Sequence, residues 1–573
     1  MADLGDDGDV DDVPSPQLAY VLIPLYGNVE EKETATALRI QLTIYEDPDV
    51  ETTRLVSPFR RKGVDLCIFD SNLVQAHDAL GKLDVSHRVV GSEVFTLLYW
   101  KFSRPTKGDV VVTYDALPRR VDRDTEPSPP SDLRQAFAGL SSMGEGFLVG
   151  PNDDYVYDIS VAWDLSHCPQ GTSAVWSWGD GPGSIICQST FRELCNTSFM
   201  VGNISSYAKD GLGLYCLGKF PVDIEALGSD ACSIFKHMLE LFVDELDESA
   251  SYDSQRFRVF FRYNPYFDSM GGLAGGRSFA VTYNDADLAN PRPPAAWRSL
   301  LSHEFIHNWV TLFDSGHVNN WYDEGLADFY SLVFCRLGNK MSDDDFRLTL
   351  NRLLTEYYTS PLVGQSIQEV AESSGKNPYG SRIPYRRGLA FALKLDGLIR
   401  AHNNTGKYNS IDRPVLKLVF MQRYDGVGGL NDFLEEVGNN IPGGQKQARQ
   451  MYDEMASGVL VVPREDSLGH MGLKFVRRDA PIWELGFDFG AVTSEKIIRD
   501  LVPGSAASRC DLQEGDTVLN DLFLGAHQQD ENMSLDLLIR RDDKVHPVSF
   551  VPRGEQLAER WQYAYDTEEK DSM

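Results

Sequence analysis

The sequence has few cysteines and none in a CxxC pair: eight are scattered over 573 residues. That scatter favours buried free thiols in a cytoplasmic protein over a disulfide framework. The chain also lacks the basic and then apolar amino-terminal stretch of a secretory signal peptide. Residues 1–17 are acidic instead, which predicts a disordered tail.

Long apolar runs and an excess of positive charge are missing as well. No run approaches the ~18 residues of a membrane-spanning helix, so no membrane partner is expected. Lysine and arginine number 54 against 85 aspartates and glutamates, giving a formal net charge of −31. Phosphate binding needs a concentrated cationic face, so this balance argues against nucleic acid. It favours cationic or amine-bearing ligands instead.

The residue pattern of the sequence changes twice along the chain, which predicts a multidomain α+β protein. Residues 18–220 hold short β-branched and aromatic runs between turn-rich pieces, typical of a β-sandwich-like domain. Residues 221–460 are mainly helical in pattern, and 465–556 form a third region. A charged tail is expected at 557–573.

Two segments show clear periodicity. "ALRIQLTIY" (37–45) alternates Leu38, Ile40, Leu42 and Ile44 on one face, as in a half-buried strand. "ALGSDACSIFKHMLELFVDEL" (226–246) has helical periodicity.

An HExxH pattern lies at residues 303–307, as His303-Glu304-Phe305-Ile306-His307. On a helix the two histidines lie one turn apart on one face, so both imidazoles can reach one cation. Glu304 is then placed to take a proton from water instead of binding the metal. Chance supplies this pattern in roughly one or two chains per hundred of this length, so other residues must support it.

Two acidic residues downstream extend the pattern, in "NNWYDEGLADFY" (319–330). Glu324 is the candidate third ligand, because a catalytic zinc keeps three protein ligands and one open position. The interval from His307 leaves room for a helix end, a loop and the start of a second helix. Asp328, one turn later, can accept the free N–H of a zinc-bound imidazole. A solvated acidic helix face is the alternative, and it does not explain three features in order.

HExxH followed by a Glu-Gly-hydrophobic-Ala block and an aspartate resembles the gluzincin metallopeptidases of thermolysin type. Within them the sequence is similar to the aminopeptidase N and glycyl aminopeptidase families. The resemblance implies a thermolysin-like, mainly helical catalytic domain that binds one Zn²⁺ per chain. It implies His303, His307 and Glu324 as the ligands and Glu304 as the general base, with Asp328 behind the ligands.

A further tyrosine enters through the same resemblance. "RIPYRRGLAFALKLDGLI" (382–399) resembles the Tyr-x-x-Gly segment of these families. This implies that Tyr385 donates a hydrogen bond to the oxyanion of the tetrahedral intermediate. The alternative is an ordinary core or surface tyrosine, since the chain has 24 tyrosines.

The third region closely resembles a PDZ domain through "IIRDLVPGSAASRCDLQEGDTVL" (497–519) and a preceding GLGF-like loop. The resemblance implies that Leu485, Gly486 and Phe487 supply the loop that captures a peptide's C-terminal carboxylate. A generic glycine-rich hairpin is the alternative. A β domain, a zinc domain and a PDZ domain in this order fit the glycyl aminopeptidase family over nearly the whole chain.

One family position is missing, in "MGGLAGGRSFAVTY" (270–283). Gly271 and Gly272 match the family, but Ala274 stands where these aminopeptidases carry a glutamate that binds the substrate's free α-amino group. An alanine cannot bind an ammonium ion, unless an acid such as Asp268 takes over. The backbone around Gly272 and Gly275 is still expected to hold an extended substrate.

Three functional hypotheses follow. The first is a zinc-dependent hydrolase of peptide or amide bonds, whose aminopeptidase specificity Ala274 puts in question. The second is a zinc enzyme retooled for a non-peptide small molecule. The third is a PDZ scaffold with an inactive peptidase domain, against which the intact general base Glu304 argues.

Overall fold

The computed structural model describes residues 15–45, 54–61, 64–69, 74–123, 125, 130–243, 256–265, 272–313, 317–373, 380–402 and 409–566. The predicted acidic tail therefore lies almost entirely outside the described residues. The chain divides into two compact units, one of Met1–Cys232 with Asp247–Trp297 and one of Ser233–Leu246 with Arg298–Met573. The α+β multidomain class predicted from the sequence is confirmed at this level.

The first unit is built mainly of strands. They are β1 (Gln17–Val29), β2 (Lys32–Tyr45), β3 (Arg54–Arg61), β4 (Val64–Asp65), β5 (Ile68–Phe69), β6 (Gln75–Asp78), β7 (Gly81–Leu83), β8 (Val85–Gly91), β9 (Phe95–Phe102), β10 (Val110–Leu117), β11 (Arg134–Ala136), β12 (Gly139–Met143), β13 (Gly150–Pro151), β14 (Tyr157–Trp163), β15 (Ser173–Trp176), β16 (Gly179–Asp180), β17 (Ile185–Ser189), β18 (Ser198–Gly202), β19 (Ile204–Lys209), β20 (Leu212–Leu217), β21 (Phe257–Asn264), β22 (Gly272–Gly275) and β23 (Ser278–Asn284).

Three sheets of this unit share one hydrophobic core. Their strand orders are β17-β14-β1-β2-β10-β6-β7, β13-β3-β9-β8 and β11-β12-β18-β15-β16. The alternation predicted for 37–45 is confirmed, since its four apolar side chains are buried in β2 while Arg39 and Gln41 are exposed. One face of β2 therefore packs into the hydrophobic core, and its other face is exposed to solvent.

A fourth sheet has the order β19-β20-β21-β23-β22 and spans residues 204–284. Its strand β20 pairs in parallel with β21, and β21 in parallel with β23. The predicted domain boundary at residue 220 is therefore wrong, because it would cut β19 and β20 away from their sheet. β22 is an edge strand, paired only with β23 among the described residues.

The helices are α1 (Phe191–Cys195), α2 (Ile224–Phe242), α3 (Asp285–Ala289), α4 (Pro294–Ile306), α5 (Asn320–Leu337), α6 (Asp343–Tyr358), α7 (Ile367–Ser373), α8 (Ile383–His402), α9 (Asp412–Phe420), α10 (Leu430–Asn439), α11 (Gly444–Ala456), α12 (Phe489–Glu495), α13 (Ala506–Arg509) and α14 (Gly525–Gln529). The chain passes between the two units within α2 and α4. The helical periodicity predicted for 226–246 is confirmed by α2 as far as residue 242, and residues 244–246 lie outside the described residues.

Local chemistry explains where the helices of the second unit begin. The Ser342 side chain accepts a hydrogen bond from the Asp345 N–H and caps α6. Three aspartates lie in the first turn of α6, where their negative charges interact favourably with the positive end of the helix dipole. Pro384 lies in the first turn of α8, where a missing N–H costs nothing. These two helices carry residues next to the candidate site.

Helices α5 and α8 touch at two glycines. A Cβ added to Gly388 would overlap the backbone of Trp321 and Gly325, and one added to Gly325 would overlap the backbone of Gly388. The close approach therefore requires glycine at both positions. It brings the helix of Glu324 against the helix of Tyr385.

The C-terminal region, residues 465–566, adds the small strands β24 (Leu473–Arg477), β25 (Ala480–Trp483), β26 (Thr517–Val518), β27 (Leu535–Arg541), β28 (Lys544–Phe550), β29 (Arg553–Ala558) and β30 (Trp561–Tyr565). The charged tail predicted at 557–573 is wrong as far as residue 566. There β30 pairs with β24, and the Tyr563 N–H donates to Asn351 Oδ1 over 2.7 Å.

The eight cysteines are all free, as predicted, although Cys168, Cys232 and Cys510 are only partly buried. Across the described residues, the structure contains no helix with both the length and the apolar character needed to cross a membrane.

Candidate metal centre

Two helices and a turn supply the candidate ligands. α4 carries His303 in its last turn, and His307 follows one residue after the helix ends, in a turn. α5 carries Glu324 in its second turn, after a loop that begins beyond His307. The expectation of a helix end, a loop and a second helix is confirmed by these bounds.

The donor atoms of His303, His307 and Glu324 lie close together. Glu324 Oε2 lies 3.1 Å from His303 Nε2 and 3.6 Å from His307 Nε2. One atom from each residue can be chosen so that all three lie within 4.8 Å of one another. Ligands about 2.0–2.2 Å from a tetrahedral zinc are about 3.4 Å apart, so the spacing fits a zinc ion. Two imidazoles and a carboxylate also form a donor set used in catalytic zinc sites.

Asp328 fixes the orientation of one imidazole. Its Oδ1 lies 3.1 Å from His303 Nδ1, while His303 Nε2 faces Glu324. When Nδ1 carries the proton and donates a hydrogen bond to Asp328 Oδ1, Nε2 keeps a lone pair for a cation. The sequence predicted a contact of this kind for Asp328, and its role behind a metal ligand stays a prediction.

The charges of the cluster favour a cation. Burial lowers the pKa of His303, but hydrogen bonds to Asp328 and Glu324 outweigh it and raise the pKa to about 10. Burial raises the pKa of Glu324, yet hydrogen bonds from His303 and His307 hold it well below its usual range. Without a metal, His303 is thus held protonated between two carboxylates. A bound metal takes the place of that positive charge, because a ligating imidazole must be neutral.

Tyr385 lies against the cluster from α8. Its ring stacks on the His303 imidazole, with a centroid distance of 5.8 Å and an interplanar angle of 13°. Burial raises the pKa of Tyr385, and the negative charges of Glu324 and Glu304 raise it further. The phenol therefore stays protonated and able to donate a hydrogen bond. Glu304 is partly buried on α4 beside His303.

Sequence reasoning missed two residues behind Asp328. Arg386 donates through Nη1 to Asp328 Oδ2 and through Nε to Glu356 Oε2, the latter at 2.7 Å. Both Arg386 and Glu356 are buried. The only available signal was an arginine directly after the candidate tyrosine, which does not reveal its partners.

The predicted substrate strand lies in the first unit. Gly272, Ala274 and Gly275 belong to the edge strand β22, where Ala274 is exposed and pairs with Phe279. Gly271 and Asp268 lie outside the described residues. The role of this strand in substrate binding stays a prediction.

The predicted carboxylate loop has an unexpected continuation. Leu485 and Phe487 are buried, and Gly486 has a φ of 85°, a value that favours glycine. The next element is α12, whose first residues are capped by the Asp488 side chain. A helix therefore stands directly after the loop, where a peptide would need a strand to pair with. Carboxylate capture by this loop stays a prediction.

Comparison by sequence finds no relative. No protein-family model matches the chain, and no curated protein matches it.

Comparison by structure finds similar solved proteins. An aminopeptidase N family protein from Idiomarina loihiensis matches with a TM-score of 0.65 and 15% identity, over 97% of this chain and 99% of that one. The M1 zinc metallopeptidase from Deinococcus radiodurans matches with a TM-score of 0.44 and 14% identity, over 78% of this chain and 95% of that one. Yeast LTA4 hydrolase matches with a TM-score of 0.42 and 12% identity, over 78% and 68%. The chain thus shares its fold, over nearly its whole length, with an aminopeptidase N family protein.

Proposed function

We propose that this protein is a zinc-dependent hydrolase of peptide or amide bonds. The proposal rests on the convergence of His303, His307 and Glu324, whose donor atoms have the spacing of zinc ligands. The HExxH pattern that contains the two histidines also contains Glu304, the candidate general base. The resemblance to gluzincin peptidases and the shared fold support the same reaction class.

The chain's own residues divide the work of hydrolysis. When bound, zinc supplies Lewis-acid polarisation of a carbonyl group and acidifies water. Glu304 accepts the proton of the attacking water and returns it to the leaving amine. Asp328 holds the His303 ring in place, and the Tyr385 phenol donates a hydrogen bond to the developing oxyanion.

Replacing the phenol tests the role of Tyr385. In Tyr385→Phe the ring that stacks on His303 remains and only the hydroxyl is lost. We expect kcat to fall about 10²–10³-fold, the usual effect of removing one oxyanion donor, while zinc content stays the same. Steady-state kinetics with metal analysis of both proteins check this. An unchanged kcat would show that the hydroxyl takes no part in the reaction.

Ala274 decides the substrate class within this proposal. Aminopeptidases of the resembling families hold the substrate's α-amino group with a glutamate at this position, and alanine has no charge for that task. We therefore propose that a free N-terminus is not required. The negative charge of the whole chain does not replace a placed carboxylate, because charges far apart are screened in salt.

A matched substrate pair tests both parts of the proposal. The purified protein should contain about one zinc per chain, as a three-ligand catalytic site requires. It should then cleave acetylated and free forms of the same short peptides with kcat/KM values within about tenfold of each other, because no anchor worth more than about 1.4 kcal/mol separates them. Strong preference for the free form would refute our interpretation of Ala274. Absence of zinc after metallation would leave only a scaffold role.

A second candidate function is hydrolysis of a non-peptide small molecule. Ala274 favours it, because a change of substrate would remove the residue that binds the amine and keep the candidate metal ligands. Zinc-dependent turnover of esters or amides without any peptide cleavage would select this alternative.

A further inference from the structure

A chain of polar contacts starts at the candidate ligand His303 and leads away from it. Asp328 accepts the His303 Nδ1–H at one oxygen, over 3.1 Å, and an Arg386 N–H at the other. The position of the Asp328 carboxylate is therefore set from both sides. Whatever holds Arg386 also holds the acceptor that orients the ligand.

Arg386 is shared between two buried carboxylates. Its Nε donates to Glu356 Oε2 over 2.7 Å, and Arg386 and Glu356 are 3% and 5% exposed. A buried guanidinium takes its position from all of its ion-pair partners, because no water replaces a lost one. Glu356, on α6, thus holds Arg386 together with Asp328, on α5.

The last link comes from the C-terminal region. Gln529, the final residue of α14, donates through Nε2 to the same Glu356 Oε2 over 3.0 Å. The buried Arg553 donates through Nη1 to Thr359 Oγ1 over 3.0 Å, and the Trp483 N–H donates to the Thr359 carbonyl over 2.9 Å. Thr359 directly follows α6, so the C-terminal region holds the helix turn that carries Glu356.

We infer that Glu356 and Gln529 are positioning residues for the zinc ligand His303, so that the C-terminal region sets the metal affinity of the site. This inference rests on the zinc site proposed above. Partners behind a metal ligand act by fixing its orientation, and their loss costs about 10–100-fold in affinity when the partner is adjacent. Gln529 is three contacts further out, so its effect is smaller.

The test measures zinc affinity, not activity, on the full chain stripped of metal. Competition with a chromophoric chelator gives the zinc dissociation constant of each variant. Gln529→Ala should weaken zinc binding about threefold to tenfold, and Glu356→Gln, which keeps size and one acceptor oxygen, about tenfold or more. In the double variant the loss should equal that of Glu356→Gln alone, because both residues act through one chain of contacts.

Asn532→Ala is the matched control. This exposed amide lies three residues from Gln529, and its side chain takes no part in the contacts from His303 to Gln529. Zinc affinity should not change in this control. Thermal unfolding of each metal-free variant separates positioning from simple stability.

The outcomes are distinct. Weaker zinc binding in Gln529→Ala and Glu356→Gln, with the control unchanged, supports the inference. A lower unfolding temperature of the metal-free variants with wild-type zinc affinity refutes it and leaves the proposed hydrolase standing. Failure of the wild-type chain to bind zinc overturns both.

Discussion

Glu304→Gln is expected to abolish most of the turnover while leaving the zinc in place. The amide has the shape of the carboxylate but cannot accept the proton of the attacking water, and a general base contributes about 10²–10⁴-fold to the rate. We therefore expect kcat to fall by that factor. Zinc content should not change, because the ligand atoms of His303, His307 and Glu324 are untouched. Metal analysis and kcat, measured on the same preparation, check the prediction.

Asp323→Asn is the matched control for this variant. Asp323 is another acid beside the site, and burial raises its pKa to about 6, but the proposed mechanism assigns it no proton transfer. An asparagine can still accept the hydrogen bond that the Leu312 N–H donates to Asp323. Turnover in this variant should drop far less than in Glu304→Gln. Equal losses would contradict the assignment of Glu304 as the base.

Arg386→Met is expected to destabilise the second unit strongly. It leaves Asp328 and Glu356 buried without the cation that both of them contact. Removing one partner of a buried ion pair costs about 3–5 kcal/mol in the free energy of unfolding. Urea unfolding of the metal-free protein checks this, because zinc binding then adds nothing to the native state.

Arg382→Met provides the comparison for this prediction. Arg382 lies one turn before Arg386, its side chain is 44% exposed, and its Nε is 3.7 Å from Glu356. Because the Arg382 side chain is largely solvated and its Nε lies beyond hydrogen-bond distance from the buried Glu356, we expect this contact to contribute at most about 1 kcal/mol. Similar losses in both variants would contradict the assignment of the larger loss to the buried ion pairs of Arg386.

The sequence predicted the ligand cluster because helical periodicity fixes local geometry. Glu324 and Asp328 lie one turn apart on α5 and share a face before any tertiary contact forms, whereas His303 lies in the last turn of α4 and His307 follows in a turn after the helix end. The need of a catalytic zinc for a third protein ligand joined the two pairs, and the resemblance to a known family supported the same set. The alternation in β2 was likewise readable because a strand buries every second residue.

The missed features all depend on pairing between distant residues. Arg386 meets Asp328 across 58 positions of the chain, and β30 pairs with β24 although almost 90 residues separate them. The boundary at residue 220 failed for the same reason, because parallel pairing of β20 with β21 spans an intervening helix. Local pattern carries no information on such partners.

The contact between Gly325 and Gly388 fixes the segment that carries Glu324 against the segment that carries Tyr385. The glycine after Glu324 and the glycine three residues after Tyr385 press two helix backbones together, so the carboxylate and the phenol have a separation fixed by main chain. Neither glycine can change alone, and transplanting either motif without the other would lose the geometry of the site. These two glycines set the distance between the helices, and the proposed chemistry depends on that distance.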